Sequence, residues 1–134
     1  MKRVLQFLSD NMPFYLATVT ADGRPRMRPL GFVALQDDKL YFGVGKHKDV
    51  YQEMLANPKV EICVTNPRSE WIRIAGNAVM DDNPDVQAKA FAALPMLHDL
   101  YNEKTGRVIG FFHIGGMIAE MKDVTGQTVQ TITA

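Results

Sequence analysis

The sequence predicts a mainly β protein: an antiparallel barrel with a few peripheral helices over its ends. Three observations lead there. Segments with a strand period outnumber those with a helical period, turn dipeptides separate successive strands, and no strand–helix–strand alternation of the kind that builds a doubly wound parallel sheet runs through the chain. The 134 residues, 46% of them apolar, suit one compact domain over residues 1–134. No internal repeat, low-complexity tract or linker divides it.

The elements follow in order. Val4, Leu5, Phe7 and Leu8 recur at helical spacing, and Pro13 closes that helix. Tyr15 to Thr20 is rich in aromatic and β-branched residues, Asp22-Gly23 supplies a turn, and Arg26 to Leu35 reads as a second strand. A third strand, Lys39 to Val44, is entered through Asp37-Asp38, so these three are expected to form a meander. Lys48 to Ala56 changes period, with Val50, Met54 and Leu55 on one helical face and Asn57-Pro58 as the stop. Val60, Ile62 and Val64 alternate with Glu61, Cys63 and Thr65 as a half-buried strand, and Glu70 to Met80 follows as another. Asp82-Asn83-Pro84 joins a capping oxygen to a proline that opens a helix. Pro95 interrupts that helix before a shorter piece ending near Gly106. Arg107 to Lys122 reads as one long strand with a bulge at Gly115-Gly116, and Gln127 to Thr133 returns after Thr125-Gly126.

Composition removes several functions. Lys plus Arg equals Asp plus Glu at 15 each, so no global basic field attracts nucleic acid, and any anion site must be local. A single cysteine, Cys63, excludes an intrachain disulfide framework and a cysteine-based zinc site, and fits a reducing cytoplasm. It sits mid-strand with no base near it in sequence, as a buried inert thiol would. Met1 to Asn11 mixes charges with apolar residues and reads as a short helix, not a signal peptide, and no segment approaches the roughly 18 apolar residues of a membrane span. His98 and His113 share no metal-ligand spacing with carboxylates. Ser69 lacks the G-x-S-x-G surroundings of a hydrolase nucleophile, and the glycine-rich phosphate loops of α/β nucleotide binders are missing.

Two cationic clusters remain. Arg26 and Arg28 lie two apart in a strand, so both side chains leave the same sheet face and can converge on one anion. Lys46, His47 and Lys48 follow Gly43-Val44-Gly45 and precede a helix, where free backbone N–H groups and the helix dipole favour a phosphate. The same charges are equally compatible with solvated strand and turn positions. Trp71, at the head of its strand, fits a core or interface position better than a cofactor contact when taken alone.

The order of these segments resembles the pyridoxamine 5′-phosphate oxidase-like family of FMN-binding split barrels. Four stretches carry the resemblance: Leu16 to Pro25, Arg26 to Val33, Leu40 to Lys48, and Asn57 to Val60. They cover the N-terminal half; the C-terminal half matches in strand order alone. The resemblance implies a split β-barrel that pairs with a second copy of itself and holds FMN at the dimer interface. It also implies that an arginine of the second strand and a lysine after the third grip the FMN phosphate. Arg28, followed by Pro29, aligns with the arginine when the segments are matched on Asp22-Gly23; Arg26 takes that role if the hairpin lengths differ. Lys48 aligns with the lysine, and His47 with a second basic position. Backbone of Met27, Pro29, Leu30, Tyr41, Phe42 and Gly43 would line the flavin, with Phe42 standing where many members carry threonine. Trp71 lies on the strand that reaches the flavin from the partner. The implied activity is an FMN-dependent oxidoreductase with a small organic substrate. Compact nitroimidazole-resistance-type reductases are a nearer match than the vitamin B6 oxidase, whose basic C-terminal segment has no counterpart in Gly126 to Ala134. A flavin-storing or flavin-sensing module, or the same barrel holding haem or a deazaflavin, are the alternatives.

Overall fold

A computed structural model describes residues 1–134. The elements are α1 (Lys2–Asp10), β1 (Phe14–Val19), β2 (Pro25–Leu30), β3 (Ala34–Gln36), β4 (Lys39–Gly45), α2 (Asp49–Ala56), β5 (Lys59–Thr65), β6 (Trp71–Met80), α3 (Pro84–Ala93), α4 (Leu97–Leu100), β7 (Ile109–Lys122) and β8 (Thr128–Thr133). All eight strands belong to one antiparallel sheet in the order β2-β1-β5-β6-β7-β4-β3, with β8 added to β7. The two ends of that path, β2 and β3, are consecutive in sequence and joined by Gly31-Phe32-Val33 alone. A link of three residues spans roughly 10 Å, so the sheet must curl until its ends approach. No hydrogen bonding joins β2 to β3, and the barrel stays split there.

The expected meander is therefore corrected. Strand pairing stops at Leu30, and β2 and β4 end up on opposite sides of the split, with β4 paired to β7 and β3. Gly31, whose added Cβ would meet nothing, offers no side chain to continue a packed strand, and the run Arg26 to Leu35 breaks there. Other turns match their sequence signals. Asp37 and Asp38 both take positive φ, 51° and 59°, the pair of left-handed residues that closes a tight hairpin. Gly116, at φ 60°, sits where Asn77 pairs with Gly115 while Ala75 pairs with Ile118, so β7 carries the expected bulge.

Cross-strand neighbours Leu16, Ile62, Ile74 and Ala119 share one row on the inner face and are fully buried. Val4 and Leu8 of α1 plug one end of that core, and Val50 and Met54 of α2 pack on it from another side. Leu55, expected on the same face of α2, is instead more than half exposed. A second, smaller core forms outside the barrel, where Tyr41 and Phe111 lie under Val86 and Ala90 of α3 and Leu97 of α4. β4 is thus covered on both faces: Leu40, Phe42 and Val44 point into the barrel, and Tyr41, Gly43 and Gly45 face outward toward the helices. Asn83 caps α3 by accepting from the N–H groups of Asp85 and Val86, with Pro84 in the first turn, as the sequence implied. No helix is long and apolar enough to cross a membrane.

Candidate functional site

The split in the barrel opens into a cavity of about 650 Å³. Its walls come from β2 and the Gly31–Phe32 link, from the outer face of β4 at Gly43 and Gly45, from the first turn of α2, and from the α3–α4 segment. Charge is confined to one end, where Arg26, Arg28, Lys48 and Asp49 meet. The other end is apolar, with Phe32, Leu94, Met96, Leu97 and Ile109, and the Tyr101 hydroxyl is its polar side-chain group.

The cationic end is built by a hydrogen-bond cluster. Glu53, on α2, accepts from the Thr18 hydroxyl and from Arg28 Nη2, both on Oε1 and both at 2.7 Å. Arg28 Nη1 donates to Thr18 Oγ1 at 2.6 Å and, at 3.3 Å each, to the carbonyls of Leu16 and Arg26. Arg26 Nε lies 3.9 Å from Glu53 Oε2, which confirms that both arginines leave the same face of β2. The hydrogen bond from Thr18, together with the Arg28 guanidinium, holds the Glu53 carboxyl below its ordinary value against the opposing effect of burial. Thr18 is the one buried polar residue of the chain. Its hydroxyl donates to Glu53 and accepts from Arg28.

Lys48 is the N-cap residue of α2, with extended backbone, an exposed side chain and no hydrogen bond or ion pair from its ammonium. α2 brings Asp49 in its first turn, which partly offsets that end of the helix dipole. Lys46 is differently placed. Its ammonium bonds Asp82 Oδ2 at 2.5 Å, while Asp82 Oδ1 accepts from the Phe111 N–H, so Asp82 ties the segment before α3 both to Lys46, after β4, and to β7. The Asp82 bond raises the Lys46 pKa, and Lys46 lies outside the cavity lining.

The outer face of β4 explains two glycines. A Cβ on Gly45 would come within 2.7 Å of both His47 Cε1 and Tyr101 Oη, so these two side chains lie directly over it. A Cβ on Gly43 would press on Phe111 and Ile109 at 3.1 and 3.3 Å. Burial, then the charges of Arg107 and Lys48, hold His47 below its ordinary 6.5, so it is neutral at pH 7. Burial raises the Tyr101 phenol, which keeps its proton there.

Of the residues singled out from sequence, the structure gathers Arg26, Met27, Arg28, Pro29, Leu30, Gly43 and Lys48 around one cavity. His47 lies beside it, over Gly45. The side chain of Tyr41 is turned away, buried, with its hydroxyl donating to Asp81 at 2.6 Å; burial and that carboxylate push its pKa to about 12. Phe42 is a barrel-core side chain, packed edge-to-face against Phe14 and tilted against Phe112. Trp71 is elsewhere, in a groove of about 560 Å³ beside α1 and the β5–β6 loop, with the Arg73 guanidinium 5.0 Å from its ring centre. No group of three or more His, Cys, Asp or Glu could hold a metal ion.

Thr18, Glu53 and the α3–α4 wall were not singled out. Two of them left a trace. Thr18 shares the core-facing period of Phe14 and Leu16, and Glu53 stands three residues after Val50 on the inward side of its helix, both polar groups where an apolar one is expected.

The model of the pyridoxamine 5′-phosphate oxidase family matches residues 1–111. A NimC/NimA family protein of Clostridium acetobutylicum is 34% identical, with 100% of this chain and 92% of that one covered and a TM-score of 0.86. A pyridoxamine 5′-phosphate oxidase-related, FMN binding protein of Nostoc punctiforme is 18% identical over 96% of this chain and 90% of its own, TM-score 0.60. A haem binding protein of Mycobacterium smegmatis shares the fold at 14% identity, TM-score 0.64, over 95% of this chain and 54% of its own. No curated protein sequence matches the chain. A split barrel with its cationic cavity at the split, matched by the family model over most of its length, makes this chain a member of the pyridoxamine 5′-phosphate oxidase family.

Proposed function

We propose that the chain binds FMN in the cavity at the split and acts as an oxidoreductase on a small organic substrate, with the site completed by a second copy. The observation that carries this reading is the polarity of the cavity. Arg26, Arg28 and Lys48 converge at one end, and the rest is apolar with glycine backbone as its floor. That is the division of a phosphorylated ring compound, and the volume lies within the range of small-molecule sites. Phosphate contacts from an arginine and a lysine are charge-assisted, worth about 1.5–3 kcal/mol each. The flavin supplies the electron transfer when bound. This chain's residues hold and orient it, and the apolar wall from Leu94 to Leu97 sheds water from the space beside it.

Pairing has its own support. On the outer face of the sheet, Met27, Ala17, Glu61, Ala75 and Ile118 form one cross-strand row, and Pro29, Tyr15, Cys63 and Arg73 the next. Met27, Tyr15 and Ile118 are exposed apolar side chains there, and the alanines keep the surface flat. Trp71 cannot serve its own chain's cavity, since it lies in a separate groove, but it can serve a partner's. A haem reading draws on the fold alone.

Titration with FMN and riboflavin, followed by flavin fluorescence, tests the reading. FMN should bind at least ten-fold more tightly, about 1.4 kcal/mol, and sedimentation should give a dimer. A protein that binds neither flavin, or both alike, refutes it. Reduction of the FMN-loaded protein by NADH or NADPH, and reoxidation by organic acceptors, separates an enzyme from a storage module.

A further inference from the structure

The arginine implied for the phosphate is already engaged. Arg28 has five N–H donors. Its Nη1 is held by Thr18, Leu16 and Arg26, and Nη2 by Glu53, while Nε has no partner within the chain. The tip of the guanidinium is therefore anchored in the barrel wall, and two donors, the Nε–H and the second Nη2–H, are left for whatever enters the cavity that Arg28 lines. The anchor is long-range: Glu53 comes from α2, 25 residues beyond Arg28 and 35 beyond Thr18. Its side chain is only 11% exposed.

A carboxylate this near a phosphate site opposes the anion by simple charge. Two opposite effects thus meet in one side chain, repulsion of the ligand and orientation of the residue that binds it. A buried, ion-paired geometry favours orientation, because a free arginine side chain gives up rotamer entropy when it is fixed. An arginine fixed in advance loses less when the ligand arrives.

We propose that Glu53 is a positioning residue, which with Thr18 fixes the Arg28 guanidinium at the cationic end of the cavity so that it meets the cofactor's phosphate already oriented. This rests on the FMN reading above. Glu53 touches no ligand itself, and it acts only through Arg28.

The test compares wild type with Glu53→Ala, Glu53→Met and Glu53→Gln, titrating each with FMN and with riboflavin and recording thermal melts. Glu53→Ala and Glu53→Met, which offer no acceptor, should each weaken FMN binding by about ten-fold, with riboflavin affinity unchanged. Glu53→Gln keeps an oxygen where Oε1 accepts from both Arg28 and Thr18. It should hold FMN affinity within about three-fold of wild type. If Glu53→Ala does not fold, Glu53→Met, close in size, carries the comparison. Tighter FMN binding in the Met variant would mean that charge repulsion is all Glu53 contributes, and overturns the proposal. Equal losses for FMN and riboflavin would mean a structural role alone, and overturn it too. Should wild type itself fail to distinguish FMN from riboflavin, the phosphate reading fails first and this proposal with it; should wild type distinguish them and every Glu53 variant match it, only the positioning role is lost. Nitrogen NMR of Arg28 gives a readout free of ligand: separate Nη signals in wild type should merge in Glu53→Met, and signals merged already in wild type would overturn the proposal.

Discussion

The two cationic clusters, alike in sequence spacing, are organised in opposite ways. On β2, Arg28 is tied to Glu53 and Thr18 yet still lines the cavity, and Arg26 stays largely free at its edge. After β4, Lys46 is tied to Asp82 and removed from the cavity, while Lys48 lines it with no partner at all. One ion pair therefore serves the site, and the other only pins α3. The difference shows that a pair of basic residues two apart does not reveal which member is available. That depends on acids brought in from distant elements, Glu53 in one case and Asp82 in the other.

The largest effect should come from Arg28→Ala. It removes the proposed phosphate contact and takes from Glu53 and Thr18 the guanidinium that donates to both, so FMN affinity should fall ten- to a hundred-fold and stability by about 1–3 kcal/mol, read by fluorescence titration and urea unfolding. Lys48→Ala sharpens the contrast. Its FMN affinity should drop by a similar factor with unfolding free energy within about 0.5 kcal/mol of wild type, since no contact within the chain is lost. If Lys48→Ala destabilised the fold as much as Arg28→Ala, the two cations would not differ as described. Lys46→Ala is the converse: a loss of no more than about 1 kcal/mol from a partly exposed pair, and no change in FMN affinity. Arg26→Ala should change FMN affinity by only a few-fold, less than Arg28→Ala or Lys48→Ala; a loss exceeding that of Arg28→Ala would exchange the roles of the two arginines.

Acid should act on both pairs. Glu53 is held below its ordinary 4.5, chiefly by Thr18 and then Arg28. Burial raises Asp82, but bonds from Lys46 and the Phe111 N–H outweigh it and keep that carboxyl below its ordinary 3.8. A carboxylate depressed in the folded state stabilises the fold above its unfolded value and loses that contribution as pH falls through the folded value. Melting temperature should thus decline below about pH 4.5, and less steeply in Glu53→Gln.

Much of this architecture was legible in sequence because local signals agree with the tertiary outcome. Asp37-Asp38 turns where two left-handed residues are required, Gly116 bulges where two glycines interrupt a long strand, and Asn83-Pro84 starts a helix. What was not legible is non-local. The break at Gly31 looks like strand in a run with Leu30 and Val33, and only the closure of the sheet assigns β2 and β3 to opposite ends. Glu53 and Asp82 are ordinary charged residues until the fold sets them against Arg28 and Lys46. The α3–α4 wall carries no motif, since Leu94, Met96 and Leu97 read as any amphipathic segment would. Trp71, whose type suits a core or interface position, lies half-buried in a groove apart from its own chain's cavity.

The ends of the sheet set what kinds of assembly this chain can enter. β2, the strand at one end, carries Pro25 and Pro29, neither of which can donate to an added strand. β3, at the other end, is three residues long, and β8 presents threonines and a glutamine. Such borders are poor templates for edge-to-edge growth into ribbons or fibrils. The second copy proposed above would instead meet the broad outer face, where contact between identical surfaces closes on a two-fold axis and stops at a finite particle. The prolines beside the two arginines therefore guard the end of the sheet that borders the cavity against an added strand.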